Sequence, residues 1–543
     1  MKKTVALLAV LTAAHTLPSA VYAQTETPAT EETPAAATVE ASPPVKDAAP
    51  VDKGAIIRQA TEAYNAAVAA LNKNKLDEAA RRFEEAVELQ PSDAGAQMFL
   101  GYVRLRQEKY PEALVSLEAA KKLGNALDAK LQPVLFNNLG IAYANSDRPA
   151  DALAAYQKAL ALSKDEYTDA RFNLAFALLA QKKTSEALPH LLELREQRKT
   201  DKVFQSSIYD GLAEAYEAEE NLPKALGAYS QVIKLSPTDP TAHFNFALSL
   251  SKAGRIDEAI VQTQEVLKLL PNHEPSLLLL GDLYSRKMNW QGAKGVLSRY
   301  VKAKPDEFSA WFSLAVAHDY MGDFDPALAA YAKAEALQPE DPSVKNNIGR
   351  IYFKRSKFED AVVKLKESLE LDKNFDDARV NLALVYAAQE KWDDANEQWT
   401  IYLDGIKTQL QKPSTTPAEK TALNARALSA RGALAENYLK SGKHANAARE
   451  YRTILVETPN NLDAMTNLGL ALYHTGSLEE STKIYRDVIR RDPKNAIAQN
   501  NLGVVLEARG LRTEAVAAYQ QAIKLKPGYE EAIKNRDRLT TAT

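Results

Sequence analysis

The sequence predicts an all-α solenoid of about thirteen helix–turn–helix repeats with a capping helix at the C-terminal end. The first observation is a step of 34 residues between prolines, which occurs in two series: Pro237, Pro271, Pro305 and Pro339, and then Pro459, Pro493 and Pro527. A fixed period of that length is typical of a stack of paired helices. Two further columns of residues, both small, repeat with the same step and support the same fold.

The two small columns predict close packing between the helices of each pair. The first holds Ala or Ser in all thirteen units: Ala79, Ala113, Ala152, Ala187, Ala225, Ala259, Ala293, Ala327, Ala361, Ala395, Ala447, Ser481 and Ala515. The second lies twelve residues earlier: Ala67, Gly101, Gly140, Ala175, Ala213, Ala247, Gly281, Ala315, Gly349, Ala383, Ala435, Gly469 and Gly503. Small residues at both points allow two antiparallel helices to approach closely.

Large side chains and glycines complete the repeat. Four residues after the first column comes a large residue, on the same helix face, in every unit except the one with Thr263: Phe83, Leu117, Tyr156, Leu191, Tyr229, Leu297, Tyr331, Leu365, Trp399, Tyr451, Tyr485 and Tyr519. Five glycines stand between the helices: Gly254, Gly322, Gly442, Gly476 and Gly510. At this point the first helix is expected to end in a left-handed residue.

From Ala60 to Tyr529 these columns resemble the tetratricopeptide repeat (TPR) family. The resemblance implies a right-handed superhelix whose first helices line a concave groove, and a non-catalytic role in binding proteins. The expected repeats are 60–93, 94–127, 133–166, 168–201, 206–239, 240–273, 274–307, 308–341, 342–375, 376–409, 428–461, 462–495 and 496–529. Residues 410–427 are expected to be an insert with a proline-rich break, and 530–541 a capping helix with a polar outer face.

The insert is recognised from the one large break in the period: 52 residues, instead of 34, separate Ala395 from Ala447. Pro413 is expected to end one helix. Thr416 is the expected cap of the next, with Pro417 at its first position and Glu419 reaching back to the cap, so that the helix runs to about Lys440. Smaller excesses are expected to lengthen the loops at 125–132 and 200–205.

The N-terminal region predicts export. Residues 1–23 combine a basic start, about ten apolar residues and small residues before a cleavage point, as in a bacterial secretory signal peptide. Residues 24–53 are rich in Pro, Thr, Ala and Glu and predict a disordered tether. We expect a periplasmic or secreted protein with no membrane segment after cleavage. The absence of cysteine suits this destination, and the net charge of −3 does not favour nucleic acid as a partner.

The candidate binding residues lie on the first helices. Eight units carry asparagine two residues before the second small column: Asn65, Asn138, Asn173, Asn245, Asn347, Asn381, Asn467 and Asn501. Side-chain amides can pair with any peptide backbone. The row resembles the asparagine row in the TPR portion of O-GlcNAc transferases, which implies that it holds extended peptides. The alternative is that each asparagine bonds neighbouring parts of the repeat itself.

Neighbouring columns on the same helices are apolar in the middle of the array, and they predict docking pockets for partner side chains or, alternatively, packing against the adjacent helix. These residues are Phe172, Phe176, Phe244, Leu248, Leu278, Phe312, Val316 and Tyr320. The position before the asparagines is Tyr64, Met98, Asn137, Phe172 and Asp210 in the first five units. It carries no lysine there, so a chaperone-type clamp for a C-terminal carboxylate is not expected.

Motifs for catalysis, metal binding or phosphate binding are not found, so no enzyme activity, cofactor or metal is expected. We interpret the chain as a scaffold that binds extended polypeptide segments. The more specific alternative is a periplasmic assembly factor for exopolysaccharide export or cell-wall enzyme complexes. An enzyme with its site in the groove or the insert is a third, disfavoured interpretation.

Overall fold

The computed structural model describes residues 52–541, and this part of the chain is entirely α-helical apart from turns and one 3₁₀ turn, Gly124–Ala126. The predicted signal peptide and nearly all of the predicted tether lie outside the described residues. The chain divides into two compact units, Met1–His273 and Glu274–Thr543. The predicted all-α solenoid of paired helices is confirmed in each unit.

The N-terminal unit contains six helix pairs. Their bounds are α1 Lys53–Asn72, α2 Leu76–Leu89, α3 Ala94–Arg106, α4 Tyr110–Lys122, α5 Gln132–Ala144, α6 Pro149–Leu162, α7 Thr168–Ala180, α8 Thr184–Gln197, α9 Lys202–Ala218, α10 Leu222–Leu235, α11 Pro240–Lys252 and α12 Ile256–Leu269. Each odd-numbered helix is the first helix of a repeat. Repeat 1 is therefore α1 and α2, and repeat 6 is α11 and α12.

The C-terminal unit contains seven more pairs and one final helix. Their bounds are α13 Glu274–Arg286, α14 Trp290–Ala303, α15 Phe308–Met321, α16 Phe324–Leu337, α17 Pro342–Lys354, α18 Phe358–Leu371, α19 Asp376–Ala388, α20 Trp392–Leu410, α21 Pro417–Lys440, α22 His444–Glu457, α23 Leu462–His474, α24 Leu478–Arg491, α25 Ala496–Ala508, α26 Arg512–Leu525 and α27 Glu530–Thr541. Helix α27 is the expected capping helix.

Both small columns lie at the contact between the two helices of a repeat, and every member is buried. The glycines of the second column face the large residue of the same repeat. A β-carbon on Gly101, for example, would stand 2.5 Å from Cγ of Leu117, well inside van der Waals contact. The columns therefore act as predicted: they set how closely paired helices approach.

The turn inside each pair passes through one left-handed residue, five positions before the first small column. The five predicted glycines occupy it with φ between 73° and 81°. In the other eight repeats the residue is not glycine: Asn74, Glu108, Asp147, Lys182, Glu220, Met288, Ser356 and Glu390, with φ between 53° and 59°. This backbone conformation disfavours any residue with a β-carbon, so the turn geometry is imposed by the packing of the two helices.

The insert consists mainly of helix. It extends α20 at its C-terminal end and α21 at its N-terminal end, so that α21 is 24 residues long. Thr416 and Glu419 form the predicted capping box, and α21 begins at Pro417 and ends at Lys440 as expected. The prediction of a longer loop at 200–205 is wrong, because Asp201 accepts a hydrogen bond from the backbone N–H of Phe204 and α9 already begins at Lys202.

Neither a membrane span nor a metal site emerges from the described residues. Between residues 52 and 541, none of the helices combines the length and the apolar composition that crossing a bilayer requires. The same residues contain no group of three or more His, Cys, Asp or Glu arranged to hold a metal ion.

Candidate functional site

First helices of neighbouring repeats contact one another in each unit, for example α3 with α5 and α17 with α19, and together they form a surface that we call the first-helix face. All eight predicted asparagines lie on this face at the same register. Asn65 is exposed and Asn138 is buried. The others are half-buried: Asn173, Asn245, Asn347, Asn381, Asn467 and Asn501. Six amides at equivalent positions of their repeats are therefore partly accessible, two in the N-terminal unit and four in the C-terminal unit.

Two of these amides are held by an asparagine of the preceding repeat. Nδ2 of Asn173 donates to Oδ1 of Asn137 at 2.9 Å. Nδ2 of Asn381 donates to Oδ1 of Asn346 at 2.8 Å. The acceptor asparagines are buried. Each bond uses one N–H of the outer amide and leaves its oxygen and its second N–H for other partners.

Sequence reasoning missed this inner set of asparagines, although a signal was present. Asn137, Asn346 and Asn500 each stand directly before a predicted groove asparagine, which gives three Asn-Asn pairs on first helices. Each pair marks a repeat whose buried amide accepts a hydrogen bond from an asparagine of the next repeat or of the final helix. Both interpretations of the row thus have a basis: some amides bond the neighbouring repeat, and the same amides keep free polar atoms.

Three groove asparagines also lie beside a tyrosine of the preceding repeat, sixteen residues earlier. Burial raises the pKa of Tyr451 to about 12, and the amide of Asn467 partly offsets that shift. Burial likewise raises the pKa of Tyr485, against the opposing effect of Asn501. The third tyrosine, Tyr331, lies beside Asn347 in the same way. In these three repeats the large residue of the second helix therefore lies beside the groove asparagine of the next repeat.

Asn245 lies in an acidic environment within the N-terminal unit. Burial, with added repulsion from Glu214 and Asp239, raises the pKa of the Asp210 carboxyl from 3.8 to about 6, and the Asn245 amide opposes this shift. Burial and Glu217 also raise the pKa of Glu214. Several carboxyl groups therefore lie close to one another around Asn245.

The predicted aromatic patch is distributed over both units, so its members are described separately. In the N-terminal unit, the rings of Phe172 and Phe176 lie 4.4 Å apart, and Phe172 meets Phe204 of α9 edge to face at 5.1 Å. Phe244 meets His273 edge to face at 5.3 Å, and Leu248 is half-buried. These residues serve partly as contacts between neighbouring helices and expose only part of their surface.

In the C-terminal unit the aromatic residues differ in exposure. Phe312 is half-buried against Tyr331, with ring centroids 5.7 Å apart. Tyr320 is 54% exposed, and its ring is stacked on that of Trp290 at 4.3 Å with an interplanar angle of 7°. Tyr320 is thus the most exposed of these aromatic residues, although one face of its ring is covered by Trp290.

A cavity of about 360 Å³ opens on the first-helix face where repeats 12 and 13 meet α27. Tyr485, Asn500 and Asn501 line it together with Lys534 and Asn535 of α27. Nδ2 of Asn535 donates to Oδ1 of Asn500 at 3.3 Å, which repeats the pairing seen at Asn173 and Asn381. The sequence contains a signal for this additional asparagine, because Asn535 stands 34 residues after Asn501. The capping helix therefore extends the asparagine row by one member.

Comparison with protein families identifies the repeats. A family model described as "Tetratricopeptide repeat" matches residues 64–127, 211–273, 278–342, 433–486 and 482–530, which together exceed half of the chain. Two further models, described as "Tetratricopeptide repeat" and "TPR repeat", match residues 144–207 and 349–390. The matches fall in both compact units.

Curated relatives share only part of their length with this chain. Human tetratricopeptide repeat protein 21A is 24% identical over 245 residues, which are 42% of this chain and 18% of the relative. The human protein O-mannosyl-transferase TMTC3 is 25% identical over 291 residues, 52% of this chain and 31% of the relative. The Drosophila melanogaster BBSome complex member BBS4 homolog is 29% identical over 148 residues, 26% and 30% of the two chains. The chain thus spans less than a third of these relatives.

Solved structures with similar helix pairs include MamA, at 22% identity and a TM-score of 0.30 over 31% of this chain and 92% of that one. YrrB, described as a TPR protein with an unusual peptide-binding site, is 20% identical with a TM-score of 0.32, over 38% and 98% of the two chains. The APC/C hetero-tetramer Cut9-Hcn1 matches at 14% identity and a TM-score of 0.31, over 90% and 97%.

Proposed function

Because the chain belongs to the tetratricopeptide repeat family, we propose that it is a non-catalytic scaffold that binds extended segments of partner proteins along the first-helix face. The observation that carries this proposal is the row of half-buried asparagines, together with the buried amides that orient two of them. An amide whose one N–H is fixed can offer an oxygen and a second N–H to a peptide main chain. Main-chain contacts of this kind hold a segment without reading its sequence.

The apolar residues beside the row would then supply selectivity. Phe244, Leu248 and Phe312 are half-buried, so each keeps some apolar surface that a partner side chain could cover. A few aromatic anchors usually carry much of the free energy of an interface. The amides would hold the backbone of the segment, and the aromatic positions would select which side chains dock well.

An array of unrelated 15-residue peptides probed with the full chain tests the proposal. We expect the wild type to bind many peptides of differing sequence. Replacing Asn245, Asn347 and Asn381 with Ala should weaken this binding across the array, since each lost hydrogen bond contributes roughly 0.5–1.5 kcal/mol. The matched control makes the same change at three exposed asparagines in the turns between repeats, away from the first-helix face: Asn272, Asn374 and Asn460.

Two results would contradict the proposal. The first is an array on which the wild-type chain binds no peptide. The second is full binding by the triple groove variant at wild-type helicity, which circular dichroism would establish. Loss of helicity in the triple variant would call for the single substitution Asn245→Ala, which removes one amide from one repeat.

We further propose that the protein acts outside the cytoplasm after removal of residues 1–23, on the basis of the basic, apolar and small-residue segments at its start. A scaffold for exopolysaccharide export or for cell-wall enzymes is the more specific form of this proposal. Sequencing the N-terminus of the protein purified from its native cells should give Gln24 as the first residue. Finding Met1 retained in a membrane fraction would contradict export with cleavage.

A further inference from the structure

A buried carboxylate joins repeats 8 and 9 in the C-terminal unit. The Asp319 side chain on α15 is fully buried, and its Oδ2 accepts a hydrogen bond from Nη2 of Arg350 at 2.6 Å. Its Oδ1 accepts another from Nζ of Lys354 at 2.8 Å. Both cations come from α17. One negative charge thus faces two positive charges, which leaves an excess of one positive charge at this point of the first-helix face.

Two hydrogen-bond donors at the same place have no partner among residues 52–541. Nε of Arg350 is buried and unpaired, although Nη2 of the same guanidinium is bound to Asp319. The hydroxyl of Tyr331 is also buried and forms no hydrogen bond, even though Asn347 lies close by. A buried donor without an acceptor is unfavourable, so a small rearrangement on binding that brings an acceptor to these groups would be favourable here.

A half-exposed aromatic side chain lies beside this excess charge. Tyr320 follows Asp319 in the sequence, and the guanidinium carbon of Arg350 stands 5.7 Å from the centroid of its ring. The other side of the Tyr320 ring is covered by the stacked ring of Trp290. The Lys354 and Arg350 side chains are themselves 39% and 28% exposed, so their charges can be reached from solvent.

We propose that Arg350, Lys354 and Tyr320 form a subsite for an acidic side chain of the bound segment. This inference rests on the proposed scaffold function. The ligand carboxylate would pair with the partly exposed guanidinium of Arg350 and accept a hydrogen bond from the ammonium group of Lys354, which has three donors and uses one on Asp319. Tyr320 would contact the residue next to the acidic one. The partner is therefore a protein segment that contains Asp or Glu.

The same carboxylate chemistry could come from the end of a polypeptide chain, and the probes must separate the two sources. Three pools of degenerate dodecapeptides serve this purpose, each acetylated at the N-terminus. The first holds Glu at two fixed positions and is amidated. The second is identical except for Gln at those positions. The third has Gln and a free C-terminal carboxylate. Affinity for the full chain is measured by competition in fluorescence anisotropy at low salt.

We expect the amidated Glu pool to bind about tenfold more tightly than the Gln pool, in line with the strength of charge-assisted hydrogen bonds. Lys354→Gln and Arg350→Gln should each remove most of this difference. Asp319→Asn should increase it severalfold, because that substitution raises the net charge of the subsite by one unit. A purely structural ion pair predicts no gain in any variant.

Arg355→Gln is the matched control. Arg355 also pairs with an aspartate of the preceding repeat, Asp325, at 2.6 Å, but that aspartate is highly exposed. The control should leave the preference for Glu unchanged. Equal affinities of the wild type for the Glu and Gln pools would overturn the acidic subsite and leave the scaffold function standing. Preference for the free C-terminus alone would also overturn it, and failure of all three pools to bind would count against the scaffold function as well.

Discussion

The backbone of Gly503 lies against the ring of Tyr519, so closely that a β-carbon at residue 503 would stand 2.5 Å from Cε1 of that ring. Tyr519 cannot withdraw freely, because it is fully buried and its hydroxyl donates to Oε2 of Glu507 at 2.9 Å. We therefore expect Gly503→Ala to destabilise the C-terminal unit by about 1–3 kcal/mol, the usual effect of overpacking. Denaturant unfolding followed by circular dichroism measures the change.

Gly295→Ala is the control for this substitution. Gly295 lies within α14, is exposed, and has no atom within 4 Å of the position that a β-carbon would take. The same substitution should there stabilise the protein by roughly 0.5–1 kcal/mol through the reduced entropy of the unfolded chain. Similar effects of the two substitutions would contradict the close contact at Gly503.

Met288 occupies the left-handed position of repeat 7 with φ of 55° and is 73% exposed. Its side chain buries little surface there, while the backbone conformation is unfavourable for a residue with a β-carbon. We expect Met288→Gly to raise the free energy of unfolding by about 0.5–1 kcal/mol. The reverse change at the equivalent position of repeat 8, Gly322→Ala, should lower it by a similar amount. Destabilisation by both substitutions would show that Met288 forms contacts that outweigh the strain.

The pH dependence of stability should reveal the acidic part of the N-terminal unit. The pKa of Asp210 is raised to about 6, so the folded chain binds this proton more tightly than the unfolded chain does. The contribution of Asp210 to the free energy of unfolding is therefore fully present below pH 3.8 and is lost as the pH rises through 6. At pH 7, Asp210→Asn should stabilise the protein by about 1–2 kcal/mol, with the partial exposure of the group taken into account.

The same variant should lose part of the stability difference between pH 7 and pH 5. Thermal unfolding across this range measures both effects. Wild type and Asp210→Asn with parallel pH profiles would contradict the raised pKa. Because the pKa of the neighbouring Glu214 is also raised, a residual slope of the same sign is expected in the variant.

Replacing Phe244 and Phe312 with Ala should test the docking positions on the first-helix face. Both rings are half-buried, so the double variant removes apolar surface from one position in each unit. We expect the affinity for the best-bound peptides of the array to fall by roughly tenfold or more, and the spread of affinities among peptides to narrow. Unchanged affinities in a variant with wild-type helicity would place the partner's side chains elsewhere.

The period of 34 residues was sufficient to predict the helix pairs, since small residues at fixed points mark where two helices can approach closely. The period also marks the turn position in the eight repeats without glycine, but residues such as Glu108 and Met288 have no preference for the left-handed conformation, so their identity does not predict it. The packing of the flanking helices imposes it. The prediction of a longer loop at 200–205 was wrong because extra residues between two repeats can lengthen a helix instead of a loop. Here they lengthen α9, which begins at Lys202.

The candidate site was less predictable than the fold. The register of the asparagine row follows from the period, but the bond from Asn381 to Asn346 depends on the approach of two neighbouring first helices, which no single repeat encodes. The excess positive charge beside Asp319 also depends on two neighbouring first helices. Arg350 and Lys354 of α17 reach Asp319 only because α17 lies beside α15. Positions within one repeat can be predicted from the sequence, whereas contacts between repeats can be identified only from the three-dimensional structure.

The final helix, α27, meets α26 and carries Asn535 in the register of Asn467 and Asn501, so it has the form of half a repeat. If the coding sequence of one 34-residue repeat were duplicated just before this helix, the new repeat would pack against a repeat on one side and against α27 on the other. Each such event would lengthen the row by one amide without redesign of the terminus. The number of amides on the first-helix face is thus a trait that evolution can change in single, discrete steps.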